Sequence, residues 1–299
     1  MSFKVIGIGE VLWDLLPSGP KLGGAPANFA YHAHALGADA RIITRVGVDD
    51  LGKEIIERVK SMELPLTGIQ MDDSAPTGTV TVALDSKGNP QYTIHENTAW
   101  DRIEATPEAL AEVRQADAIC FGSLAQRSPV SHATIQALAA AAPAESLRVF
   151  DINIRQHFYT PEVVKRSLEL ANILKLNEDE APILAEMLGV YGDPKRQIET
   201  LSANYNLRLT ALTKGGEGSL LYQDGAWSKY KSPSVDVVDT VGAGDSFTAA
   251  LVLGLLYGES LESVHKFASE VAAFVCSCAG ATPTLPERFI QRYRNSRGI

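Results

Sequence analysis

Short apolar runs alternate with helical patterns along most of the chain, and this alternation restricts the fold more than any other feature. Lys4 to Ile8 is an apolar run ending in glycines, and Arg41 to Val46, Ala118 to Phe121, Arg148 to Ile152, Ile173 to Leu176, Leu209 to Leu212 and Ser219 to Tyr222 read as further strands. Pro26 to Leu36 has helical spacing and stops at Gly37, and Asp50 to Met62 is a charged amphipathic helix. Asp245 to Tyr257 and Ser260 to Cys278 are the last two helices. Thr106-Pro107, Ser128-Pro129 and Thr160-Pro161 each set a capping oxygen before a proline suited to a first helical turn. Such alternation predicts a parallel sheet covered by helices on both faces. One stretch departs from it. Thr77 to Leu84 and Gln91 to His95 alternate apolar and polar residues around the turn-forming Asp85-Ser86-Lys87-Gly88-Asn89-Pro90. That pattern predicts a hairpin with one wet face, a small separate sheet that Val11 to Leu16 can join.

Composition narrows the class. The 299 residues are 45% apolar and 21% charged, which excludes a disordered chain, a collagen-like repeat and a small disulfide scaffold. A formal net charge of −9 argues against a broad nucleic-acid or anionic-membrane footprint, but leaves room for a small anionic ligand in a local pocket. Cys120, Cys276 and Cys278 are sparse and odd in number, as in a reducing compartment. Cys276 and Cys278 lie in an apolar run without accompanying histidines, so they are expected as core thiols and not as a zinc site. The start of the sequence shows no leader pattern, and the longest apolar stretch, Ala249 to Tyr257, falls far short of the ~20 residues of a membrane span. A soluble, cytoplasmic protein is expected.

The strongest chemical feature is Asp239-Thr240-Val241-Gly242-Ala243-Gly244-Asp245, a Gly-rich turn that opens an apolar helix. Bare backbone N–H groups and the positive end of the helix together make an anion cradle. Asp245 in its mouth reads either as a first-turn acid that stabilises the dipole or as a base that takes a hydroxyl proton while the cradle holds a phosphoryl group. A capping acid alone does not call for two glycines on its approach, so the second reading is preferred. The dipole is expected to lower the pKa of Asp245 and make it a weak base, which suits a loose phosphoryl-transfer transition state.

Gly23-Gly24-Ala25-Pro26-Ala27-Asn28 is a second Gly-rich turn into a helix, and Asn28 carries both a donor and an acceptor for sugar hydroxyls. Asp14, after Trp13, is a lone carboxylate of a kind that is usually just exposed. Gly47 to Glu54 nearly spells a phosphate-binding loop, but Glu54 stands where a magnesium-binding hydroxyl belongs. Gly7-Ile8-Gly9 lacks the third glycine of a dinucleotide fingerprint, where Leu12 stands. Lys175 to Glu180 sets carboxylates beside an amide at a strand end, which suits water-mediated magnesium or simply an acidic helix start. Thr213-Lys214-Gly215-Gly216-Glu217-Gly218, between two strands, is either a plain turn or a close approach to a nucleotide.

Taken together, these segments resemble the ribokinase-like sugar kinases, the PfkB carbohydrate kinase family, over nearly the whole chain. The resemblance rests on Gly23 to Asn28 with Phe29-Ala30, Gly37 and Gly47, on Asp239 to Asp245 with its helix, and on Asn177 and Glu180 as an Asn-x-x-Glu element. It implies a single domain over residues 1–299. The implied fold is a Rossmann-type α/β/α sandwich with a small β-sheet lid, its strands at about 11–16 and 66–98. It implies ATP-dependent phosphorylation of a primary sugar hydroxyl, with Asp245 as base and Gly242, Ala243 and Gly244 as anion hole. Asn177 and Glu180 would organise magnesium-bound water and phosphate. Asp14, Gly24 and Asn28 would grip the sugar, and Thr213, Lys214, Gly216 and Gly218 would line the nucleotide. By the same resemblance, a monovalent cation, K+, would sit on Asp239, Val241, Val275, Cys278, Gly280 and Thr284. The Gly-Gly-Ala-Pro-Ala-Asn wording and Asp151-Ile152-Asn153-Ile154-Arg155 are similar to fructokinases and 2-keto-3-deoxygluconate kinases, with Arg155 facing substrate or phosphate. Ribokinases usually carry Lys where Ala25 stands, and His95 to Asp101 departs from the usual fructokinase wording. An open-faced lid sheet buries poorly alone, so pairing of two lids in a homodimer is expected.

Overall fold

The computed structural model describes residues 2–16, 19–84 and 90–294. The chain runs β1 (Lys4–Ile8), β2 (Leu12–Leu16), β3 (Gly19–Gly23), α1 (Ala25–Ala35), β4 (Asp39–Gly47), α2 (Asp50–Ser61), β5 (Ile69–Asp72), β6 (Gly78–Leu84) and β7 (Pro90–Ile94). It continues through α3 (Pro107–Val113), β8 (Ala118–Phe121), α4 (Pro129–Ala141), β9 (Leu147–Asp151), α5 (Pro161–Leu170), β10 (Ile173–Asn177), α6 (Glu180–Leu188) and α7 (Pro194–Asn204). It ends with β11 (Leu209–Thr213), β12 (Ser219–Gln223), β13 (Ala226–Tyr230), α8 (Ala243–Leu256), α9 (Leu261–Cys276) and α10 (Glu287–Arg294).

The main sheet has the order β13-β12-β11-β10-β9-β8-β1-β4-β5. From β11 to β5 all pairs are parallel, and β12 and β13 add an antiparallel edge. Both faces are covered, which is why the central strands read as unbroken apolar runs. In β1, Val5 packs into the core with α1, α8 and α9, while Ile6 and Ile8 enter the opposite core with α4, α5 and α6. The strand order reverses between β1 and β8, because β4 and β5 are laid down on one side and β9, β10 and β11 on the other. The carboxyl ends of strands at such a reversal open a crevice suited to a ligand.

A second sheet, β3-β2-β6-β7, supplies the small lid. Two details differ from the sequence expectation. Within the span 66–98, β5 pairs in parallel with β4 and belongs to the main sheet, so the lid resumes only at Gly78. The extra lid strand is β3, a Gly-Pro-Lys-Leu-Gly segment with almost no strand propensity. Antiparallel pairing with β2 imposes its form, and Pro20 is tolerated because β3 is an edge strand. Trp13 of β2 is buried and donates from Nε1 to the carbonyl of Leu51 at 3.0 Å, which roots the lid on α2. The hairpin of β6 and β7 forms as expected; its turn residues 85–89 lie outside the described residues.

Local signals behave as chemistry predicts, with one exception. Thr106 and Thr160 accept from the N–H groups of Ala109 and Val163, whereas Ser128 precedes α4 without a side-chain cap. The two misleading loops have structural uses. A side chain at Gly7 would collide with the Pro26 carbonyl oxygen, so that glycine lets α1 lie against β1. Asp49 caps α2 through the Gly52 N–H at 2.7 Å and accepts from Thr77 Oγ1 at 2.6 Å, making a corner rather than a phosphate cradle.

Candidate active site

A cavity of about 1340 Å³ opens over the strand ends between the lid and the main sheet. Asp245, Gly242, Ala243, Gly244, Gly24 and Asn28 all line it. So do Asp14 from the lid, Arg155 after β9, Asn177 at the end of β10, and Thr213, Gly216 and Gly218 after β11. Glu180 and Lys214 are not on its wall.

Asp245 is the third residue of α8, and Gly242 precedes the helix in a left-handed conformation with φ 80°. Any side chain at Gly242 would collide with the carbonyl oxygen of Ala281, so glycine is needed for shape as well as for bare N–H groups. At the first turn of α8 the Ala243 N–H donates to the Thr240 carbonyl at 3.3 Å, while the Gly244 and Asp245 amides precede the first acceptor within the helix, and all three residues line the cavity. Asn28 reaches across from α1 and donates from Nδ2 to Asp245 Oδ2 at 2.8 Å. Expected as a sugar reader, Asn28 thus orients the proposed base and is itself buried.

The expected acidity of Asp245 is overturned. Burial, together with the nearby charge of Asp151, pushes its pKa up to about 6, against the pull of Asn28, Lys175 and Arg155. Desolvation raises the carboxyl where a helix dipole alone would lower it. A base must be ionised to act, so kcat/KM should rise with pH to a plateau above about 6, and fall about tenfold per unit below it. An acid limb near 4 in a pH-rate profile would show that the dipole wins instead.

Beneath the anion cradle lies an ion pair that the sequence pattern did not single out. Lys175 Nζ lies 3.0 Å from Asp151 Oδ1, with both side chains almost fully buried. Thr248 Oγ1 is within reach of Asp151 Oδ2 at 3.1 Å and of the Gly244 carbonyl at 3.0 Å. A Cβ built on Gly244 would stand 3.0 Å from Lys175 Nζ, so the ammonium sits against the backbone of the cradle. Burial opposes its charge, but the carboxylates of Asp151, Glu180 and Asp245 outweigh that and hold its pKa above the usual range. Only a strand pairing that aligns Lys175 with Asp151 brings the two together, so no local signal marks them.

Glu10 is the other residue missed. It follows β1, is 2% exposed, and lines the cavity with Oε2 unpartnered. Burial pushes its carboxyl up to about 7, and the charge of Asp245 adds to that. Its only sequence mark is an acid directly after an apolar strand and a glycine.

Asn177 and Glu180 form a reciprocal box at the start of α6. Asn177 Oδ1 accepts from the Glu180 N–H at 2.9 Å, and Glu180 Oε2 accepts from the Asn177 N–H at 2.8 Å. Glu180 Oε1 also takes the Ile154 N–H at 2.9 Å, which fixes the loop that carries Arg155. That loop holds Asn153 and Gln156 at positive φ, and Gln156 Nε2 donates to the Tyr92 carbonyl of the lid at 2.6 Å. Asp14 is half-buried, and burial raises its pKa against the pull of Arg155 and Lys21. Lys214 turns to Glu217 at 2.7 Å.

Of the residues expected around a monovalent cation, Asp239, Val241 and Gly280 are drawn together beside the cradle. Asp239 accepts from the N–H groups of Val241 and Gly280, both at 3.1 Å, and so ties the two loops. Val275 accepts from the Cys278 N–H at 3.0 Å, and Thr284 lies against Tyr31. Of this set only Val241 reaches the cavity wall. Cys276 and Cys278 are half-buried rather than core thiols, and Cys276 lines the cavity.

The sequence signature of the pfkB family carbohydrate kinases matches residues 20–288. The chain belongs to that family. It is similar to a sugar kinase of Pyrococcus horikoshii, 30% identical over 99% of this chain and 97% of that protein. It is 28% identical to a fructokinase of Escherichia coli over 96% of this chain and 98% of that protein. The crystal structure of the Pyrococcus horikoshii kinase in complex with ATP superposes with a TM-score of 0.81 over 98% of this chain and 99% of that one, at 29% identity. A fructokinase from Xylella fastidiosa with bound ATP, 20% identical, shares the fold with a TM-score of 0.84 over 99% of both chains. The ribokinase-like architecture of this carbohydrate kinase is therefore established. Among its described residues no helix is long and apolar enough to cross a membrane.

Proposed function

We propose that this carbohydrate kinase transfers the terminal phosphoryl group of ATP to the primary hydroxyl of a monosaccharide, fructose first among the sugars. The observation that carries the reading is Asp245, held by Asn28 at the head of α8 with the Gly242–Gly244 backbone beside it. The sugar oxygen attacks the terminal phosphorus, the bond from that phosphorus to the bridging oxygen breaks, and ADP leaves. Asp245 takes the hydroxyl proton as the new P–O bond forms. The amides of Gly242, Ala243 and Gly244 receive the transferring group, with Lys175 behind them. Asp14, Gly24, Asn28 and Arg155 face the sugar end of the cavity. Thr213, Gly216 and Gly218 face the nucleotide end, and Lys214 would approach it by leaving Glu217.

Magnesium would neutralise charge on the ATP phosphates. Glu180, almost fully buried, off the cavity wall and with both oxygens already holding backbone N–H groups, would reach it only through ordered water. Asp239, Val241, Val275, Cys278, Gly280 and Thr284 would offer K+ one carboxylate and a set of carbonyls, and among the described residues the cation paired with Asp239 is the part-exposed Lys21 at 3.5 Å. The exposed edges of the lid support pairing between two copies in a homodimer. A cytoplasmic place would supply the ATP that the reaction needs.

Fructose is favoured by the fructokinases among the relatives and by the Gly-Gly-Ala-Pro-Ala-Asn turn. A 2-keto-3-deoxygluconate kinase, favoured by Arg155 over the cavity, and a ribokinase are the alternatives, and a non-catalytic sugar or nucleotide sensor is the reading from another class. ADP release measured across fructose, ribose, 2-keto-3-deoxygluconate and adenosine separates them. The highest kcat/KM is expected for fructose. Another sugar turned over faster would replace it, and tight binding without ADP would point to the sensor.

A further inference from the structure

His32 lies in α1, is fully buried, and does not line the cavity. Its Nε2 lies 2.9 Å from the carbonyl oxygen of Ala281, across 249 positions of sequence. Its Nδ1 is buried without a partner. A carbonyl oxygen only accepts, so the proton must sit on Nε2, and Nδ1 carries the bare lone pair. The opposite tautomer would set two lone pairs against each other and bury an unsatisfied N–H as well. Burial pushes the pKa of the ring down to about 4, so it is neutral at ordinary pH.

Ala281 is the residue whose carbonyl presses on Gly242 so closely that no side chain fits between them. His32 is therefore one contact away from the anion cradle. The same loop is held at Pro283, whose carbonyl accepts from Tyr31 Oη at 3.2 Å, and at Gly280, whose N–H goes to Asp239. His32 also stands four residues after Asn28, on the same face of α1. One helix face thus grips the Asp245 carboxylate at one turn and the loop behind Gly242 at the next.

We infer that His32 is a positioning residue for phosphoryl transfer. Through the Ala281 carbonyl it fixes the Gly242 turn, and through its shared helix face with Asn28 it keeps that turn in register with Asp245. The inference rests on the kinase reading above. Without the imidazole donor, the Ala281 carbonyl is buried with one partner fewer and the loop can draw back from Gly242. The loss should then fall on the chemical step, because the sugar is gripped elsewhere.

Three measurements on the full chain test this. A long-range 1H–15N spectrum of the histidine-labelled wild type should show His32 as the Nε2–H tautomer, unchanged between pH 6 and 8; an Nδ1–H or charged ring overturns the inference. His32→Leu should lower kcat by about 100-fold, as small misplacements of reacting groups do, with KM for the sugar within about threefold. His32→Gln, whose amide nitrogen reaches as far as Nε2, should return kcat to within about threefold of wild type. A His32→Leu enzyme with wild-type kcat, whatever its melting temperature, overturns the inference, as does His32→Gln failing to restore what Leu removes. Should the Leu variant not fold, the Gln variant and the spectrum decide. If the wild type phosphorylates no sugar, the kinase reading fails, whereas the spectrum still reads the contact between His32 and Ala281.

Discussion

Asp245→Asn should lower kcat by about 10³-fold, within the usual range for loss of a general base, and leave sugar affinity within about threefold. The substitution is nearly isosteric. The new amide oxygen can still accept from Asn28 Nδ2, the 2.8 Å contact that orients the side chain. The head of α8 keeps its glycines and its amides. What disappears is the carboxylate that stands at the cradle to take the proton. Initial rates of ADP formation read the first effect, and calorimetric titration with sugar reads the second. A variant with near-wild-type turnover would remove Asp245 as the base. A variant that loses sugar binding as well would make it chiefly a ligand.

The second large effect is expected at Lys175. Lys175→Met removes the ammonium behind Gly244 and leaves Asp151 as a buried carboxylate that keeps, among the described residues, the Thr248 hydroxyl. Breaking a buried pair by removing one partner costs about 3–5 kcal/mol of stability, which denaturant titration will show. Turnover should also fall by about 100-fold, the scale of one lost electrostatic stabiliser in a preorganised site. The double variant Lys175→Met with Asp151→Asn separates the two effects. It should recover most of the stability, since no unpaired charge remains, but none of the turnover. Recovery of both would reduce the pair to a structural role. The pH profile supplies an independent sign. Lys175 holds the Asp245 pKa down, so its loss alone should move the acid limb to higher pH, whereas losing Asp151 alone should move it lower.

Much of this kinase is legible residue by residue. The turns at Gly23–Asn28 and Asp239–Asp245 stand out because glycines, a helix start and an acid are local, and local chemistry survives in the order of the residues. The central strands are legible for a similar reason, since a sheet buried on both faces needs unbroken apolar runs such as Lys4–Ile8. β3 was not legible, because Gly19–Gly23 becomes a strand only through its pairing with β2. Nor was the departure of β5 from the lid, which depends on where β4 lies.

The sequence by itself determined the fold class, the anion cradle and the identity of Asp245 as the acid in its mouth, because each follows from neighbours within a few positions. The tertiary structure alone decided how basic that acid is, which cation stands behind the cradle, and that Asn28 and His32 act along one helix face. Those outcomes depend on burial and on partners that β-pairing and helix packing bring from 24 to 249 positions away. No local pattern encodes a desolvation energy or a contact over that distance.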